Sequence, residues 1–150
     1  MRLELDLPFR IESLNRGQRL TVKNLAAVRR QRFAARGKVK LQRNGTHLLL
    51  KAKLPGQLRA RLLREGEGLV ITLTRLGPGL LDDDNLAAGT KALRDGISDA
   101  LDVRDNHPRL RWLYGQTRTG RGVYGCRVLF ETMSKSELGA RLAAEEEARA

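Results

Sequence analysis

The sequence predicts a single-domain α+β fold: a small mixed sheet, a central helix following an acidic motif, a C-terminal β-hairpin and a terminal helix. Three observations carry this expectation. An apolar run at 69–73 has the character of a buried strand, residues 86–101 repeat at the helical period, and two alternating runs, 110–117 and 123–131, flank a Gly-rich turn. With 150 residues and no linker composition, the chain reads as one unit with a real core. Within it, 1–64 is basic, 65–131 is expected to carry the chemistry, and 134–148 forms the last helix.

Residues 2–7 (RLELDL) alternate and predict a strand. Pro8 and Gly17 punctuate a loop, after which Thr21 is positioned to cap a helix running to about Arg36 and ending at Gly37. Leu48, Leu49 and Leu50 fit a strand or a helix equally well, because periodicity cannot arbitrate so short a run. Pro55-Gly56 breaks the chain, and Leu58, Leu62 and Leu63 suggest a short helix beyond it. A strand over 69–75 then leads through Gly77-Pro78-Gly79 into three consecutive acids. In the following helix Leu86, Leu93, Ile97, Ala100 and Leu101 share one face, with Lys91, Asp95 and Asp102 opposite. Ser134 and Glu137 have the spacing of a capping box that opens the terminal helix.

Charge narrows the partners. The net charge is +12, but residues 1–64 carry +14 and residues 65–150 carry −2. A polyanion is therefore expected on the N-terminal part and nucleic acid is the natural one, since Lys and Arg contacts to phosphate supply most non-specific affinity. No apolar run approaches the roughly 20 residues of a membrane span. No apolar signal core precedes a cleavage site, and the single cysteine, Cys126, excludes an internal disulfide framework, so a cytoplasmic protein is expected.

The acids Asp82, Asp83 and Asp84 precede Asn85 and the central helix. Clustered carboxylates raise one another's pKa unless a cation compensates. On an extended strand end Asp82 and Asp84 would point the same way, and with Asp105 they would suit a hard divalent ion. The alternative is capping, with Asp84 as N-cap favoured by the helix dipole.

The run Asp82-Asp83-Asp84-Asn85-Leu86, then Lys91, then Arg94-Asp95-Gly96-Ile97 and finally Asp105, resembles the RusA-type Holliday junction resolvases of phages and prophages. The resemblance has motif quality over 80–117 and extends more loosely along the chain. It implies a homodimeric endodeoxyribonuclease that cuts four-way DNA junctions, with magnesium or manganese on Asp82, Asp84 and Asp105 and Lys91 as the catalytic lysine. The sequence departs from the pattern in two ways. Lys91 follows Asp84 by seven residues rather than four, and Arg104 precedes Asp105 where the family often pairs aspartates, leaving Asp95 or Asp102 as alternative ligands. Arg16, Arg19, Lys23, Arg29, Arg30, Arg118 and Arg121 are the expected DNA contacts, and no small-molecule cofactor or membrane is expected.

Other candidates carry less. His47 and His107, with one cysteine, build no zinc pattern. Trp112 and Tyr114 share one strand face, where they suit core packing better than stacking on unpaired bases. The glycines at 77, 79, 120 and 122 lack the Lys that follows the last Gly of a phosphate-binding loop.

Overall fold

A computed structural model of the chain describes residues 1–11, 25–56, 58, 64 and 67–149, with the side chains of 25–33, 142, 145, 146, 148 and 149 left aside. Among the described residues the elements are, in order, β1 (Arg2–Leu7), α1 (Leu25–Lys53), β2 (Glu67–Gly77), α2 (Asp83–Leu101), β3 (Leu110–Arg118), β4 (Gly125–Ser134) and α3 (Lys135–Arg149). The strands form one mixed sheet in the order β1-β4-β2-β3. The expected single-domain α+β architecture is what the chain adopts. Among the described residues, no helix is long and apolar enough to cross a membrane.

β2 is central, and it is buried on both faces over its first half, from Gly68 to Ile71. Leu69, Ile71 and Leu73 enter the main core, while Val70 on the other face is equally buried. A strand of that kind needs a neighbour on each side and cover above and below. It pairs parallel with β3, from Leu69 with Leu110 to Gly77 with Arg118, and antiparallel with β4. The expected C-terminal hairpin is therefore corrected: both of its strands exist, but β2 lies between them. β1 closes the other side of β4, where Arg127 stands 3.1 Å from both Glu4 and Asp6.

α2 forms the crossover between the parallel strands β2 and β3. Its apolar stripe, Leu86, Leu93, Ile97 and Leu101, is buried as expected. The helix starts three residues earlier than its periodicity suggested and ends on Asp102, whose left-handed backbone (φ 54°) Asp tolerates better than most residues. α1 packs across α2. Gly96 makes that approach possible, because a Cβ there would stand 2.5 Å from the Arg43 carbonyl oxygen and 2.8 Å from the Thr46 Cβ.

The expectation that Gly37 ends the first helix is overturned, since α1 runs through Gly37 and Gly45 to Lys53. A Gly inside a helix costs only about 1 kcal/mol relative to Ala. The docked half, with Thr46 and Leu50 fully buried and Arg43 bonded to Asp99, supplies more than that. Leu48, Leu49 and Leu50 are accordingly helical. The Thr21 cap lies outside the described residues, as does most of the short helix expected after Gly56. The capping box at the last helix is present: Glu137 accepts from the Ser134 backbone at 2.7 Å, and Ser134 Oγ accepts from the Glu137 N–H at 3.3 Å.

Candidate functional site at the head of the central helix

The acids sit where ligands usually meet parallel sheets, outside the carboxyl ends of the strands. β2 ends at Gly77, and a short loop carries the chain to Asp82, so the acids do not extend the strand as the sequence reading supposed. Asp82 is the N-cap in extended conformation. Its Oδ1 accepts from the Asn85 N–H and its Oδ2 from the Asn85 side-chain amide, each at 2.8 Å. The cap is therefore Asp82 rather than Asp84. Asp83 and Asp84 occupy the first turn, exposed, where the positive end of the helix dipole favours carboxylates.

Two side chains that sequence reasoning missed hold this loop. Gln116 on β3 clamps the Leu81 backbone in both directions, accepting from its N–H at 2.8 Å and donating to its carbonyl at 2.7 Å. Arg75, 6% exposed, lies in register with the buried positions of β2. Its guanidinium donates to the Ile11 carbonyl at 3.1 Å and to the Gly79 carbonyl at 2.5 Å. Burial lowers its pKa, and the nearby Arg10 charge lowers it further. The available signal was an arginine falling in step with Leu69, Ile71 and Leu73, a position that burial normally reserves for apolar side chains.

Arg75→Met is expected to destabilise the fold by about 2 kcal/mol, since two carbonyls lose their donor while a costly buried charge is also removed. Urea unfolding measures the loss. Faster amide exchange at 79–81 would confirm that Arg75 acts on the loop, and unchanged exchange there would refute it.

Lys91 lies two turns along α2 from Asp84, mostly exposed, with its ammonium 3.6 Å from Asp95. The i,i+7 relation keeps Lys91 on the same helical face as Asp84. Asp105 is held elsewhere. Arg94 donates to its Oδ2 at 2.5 Å and to the Tyr114 hydroxyl at 3.2 Å, and lies over the Trp112 ring. Burial opposes the Arg94 charge, yet the hydrogen bonds to Tyr114 and Asp105 outweigh it and its pKa is raised. The Asp105 carbonyl accepts from Trp112 Nε1 at 2.8 Å.

Trp112, Tyr114 and Gln116 thus form a row along one face of β3, with Asp105 anchored at one end and the acidic loop at the other. Four residues of strand separate those anchors by about 13 Å. Among the described residues, no three His, Cys, Asp or Glu side chains stand together as a metal site. The expected triad of Asp82, Asp84 and Asp105 is therefore not assembled here. Asp82 and Asp84 stand two positions apart as exposed carboxylates of the cap turn, and both Asp82 oxygens already accept from Asn85. Asp95 stands 3.6 Å from Lys91, and the Asp102 backbone caps the end of the helix.

Of the expected DNA contacts, Arg118 ends β3 beside Gly77 and Arg121 follows in the next loop, both exposed at the acidic end of the sheet. Arg29 and Arg30 belong to α1, while Arg16, Arg19 and Lys23 lie outside the described residues. Trp112 and Tyr114 pack against the core, as their placement predicted. His107 Nδ1 accepts from the Arg109 N–H in a turn at 3.2 Å. Cys126 is fully buried, and desolvation pushes its thiol up to about 12, so it is no nucleophile. Compared with known proteins, the chain matches no protein-family model, and no curated sequence matches it significantly.

Proposed function

We propose that the protein is a divalent-cation-dependent endonuclease that cuts branched DNA, four-way junctions above all, as a homodimer. The observation that carries this reading is the exposed Asp82–Asp84 turn, clamped by Arg75 and Gln116 at the carboxyl end of a parallel strand pair, in a chain of net charge +12. Acids in that setting oppose binding of a phosphate backbone unless a cation joins the two. Magnesium or manganese held there would polarise a scissile phosphate and lower the pKa of an attacking water.

The chain's own residues supply the rest. Asp82 and Asp84 hold the ion, and Lys91, on the Asp84 face, offers a positive charge to a phosphate oxygen as it gains charge. Arg118 and Arg121 position the strand through its phosphates. Symmetric cutting of a junction requires two such sites, hence the dimer.

A second reading, a DNA-binding protein without catalysis, is favoured by two features: Asp82 already serves as a cap and Asp105 already answers Arg94. The deciding experiment incubates the purified chain with a synthetic four-way junction in magnesium or manganese. Paired strand cuts, absent with EDTA, are the expected result. A shifted but uncut junction gives the protein to the second reading.

A further inference from the structure

α1 is only half embedded. Its last turns are docked on α2 and the core through Arg43, Thr46 and Leu50, whereas every residue from 34 to 41 is exposed. The helix carries nine Lys or Arg in 29 residues and no acid. Arg36, Lys40 and Arg43 recur at spacings of four and three, which places them in one stripe at 3.6 residues per turn. Like charges so arranged repel one another, and a short polar helix containing Gly37 has little stability by itself. A polyanion would relieve both defects.

The direction of α1 follows from its contacts. Arg43 meets Asp99 near the end of α2, while Leu50 and Lys53 line a cleft with Leu76 and Gly125 at the carboxyl end of β2. α1 therefore runs antiparallel to α2, and its exposed part extends past Leu101, away from the acids. Asp84 to Asp99 along α2, followed by Arg43 back to Arg36 along α1, amounts to about 33 Å at 1.5 Å per residue. That is roughly one turn of duplex DNA.

We infer that the exposed half of α1 is an arm that follows the phosphates of one duplex limb about one helical turn from the acidic end of α2. The inference rests on DNA as the partner, but on no catalytic step. Shape and charge are what the arm reads; it makes affinity rather than sequence preference.

The test is run in EDTA, so that cutting does not intrude, with the full chain on a four-way junction whose arms exceed 20 base pairs in length. Wild type is compared with the double variant Arg36→Gln/Lys40→Gln. Each phosphate contact contributes about 0.9 to the slope of log K against log salt, so the variant should lose close to two from that slope. Hydroxyl-radical protection about 10 base pairs from the branch should vanish while protection beside the branch persists.

Lys135→Gln, an exposed change on α3, should alter neither quantity. An unchanged slope and footprint in the double variant overturn the arm. So does sedimentation showing that the variant falls to monomer where wild type is dimeric, since the exposed Leu41 and Leu48 would then be covering a second copy. A wild type that binds as described but never cuts in magnesium sinks the nuclease reading and leaves the arm standing.

Discussion

Asp84→Asn is expected to abolish junction cleavage in magnesium, by on the order of a hundredfold or more, while junction binding stays equal or tightens. Even partners beyond the ligands themselves cost 10–100-fold at metal sites, so a ligand should cost at least that much. The fold should barely register the change. Asp84 is exposed in the first turn of α2 and is not the cap, so what it loses is a dipole interaction of about 0.3–1 kcal/mol. Removing a carboxylate from a phosphate's path also removes repulsion, which is why binding does not fall. Asp82→Asn is a companion of equal value, because Asn caps as well as Asp and keeps the bond to the Asn85 N–H.

Asp105→Asn should behave differently. It breaks the ion pair with Arg94 at about one-third exposure, so its first effect is on the packing of Arg94 against Trp112 and Tyr114. An Asp84→Asn protein that cuts at the wild-type rate removes the cation pair from the account.

Elements whose signal is local were legible in the sequence, and pairings between distant elements were not. β2 announced itself through an apolar run and α2 through its stripe, and both stand where periodicity put them to within three residues. The hairpin failed for a topological reason. Two alternating strands around Gly120 and Gly122 look the same whether they pair with each other or admit a third strand between them. Only the two-sided burial of Val70 and Ile71 argues that β2 belongs in the middle.

α1 passes through Gly37 because glycine is a stop signal only where nothing downstream holds the helix, and the docked Thr46–Leu50 turn does hold it. At the acidic cluster the N-cap is Asp82 where the sequence favours Asp84, and Asp105 is paired with Arg94, eleven residues before it. The two clamps of the loop, Arg75 and Gln116, were visible only as polar residues in step with buried ones. Gln116 reaches Leu81, 35 residues before it, and Arg75 joins Gly79, four residues on, to Ile11, 64 residues before it.

Gly96→Ala should destabilise the fold by about 2 kcal/mol, against the direction that helix propensity dictates. Alanine inside a helix is favoured over glycine by about 1 kcal/mol. At position 96, however, the new methyl would stand 2.5 Å from the Arg43 carbonyl and 2.8 Å from the Thr46 Cβ, so α1 as a whole must move off α2. Thr46 is fully buried and the Arg43 side chain is bonded to Asp99, so neither neighbour can yield at the end of a flexible chain. Overpacking of this kind typically costs 1–3 kcal/mol, and the strained ion pair adds to it.

Gly37→Ala is the control within the same pair of helices. Nothing lies within 4 Å of a Cβ there, so the propensity gain should appear nearly whole, as a stabilisation of about 0.5–1 kcal/mol. Urea midpoints should thus move in opposite directions for the same chemical change at two helical glycines. If both rise, the close crossing of α1 over α2 is wrong. The antiparallel course that carries the basic arm past the end of α2 would then lose its anchor.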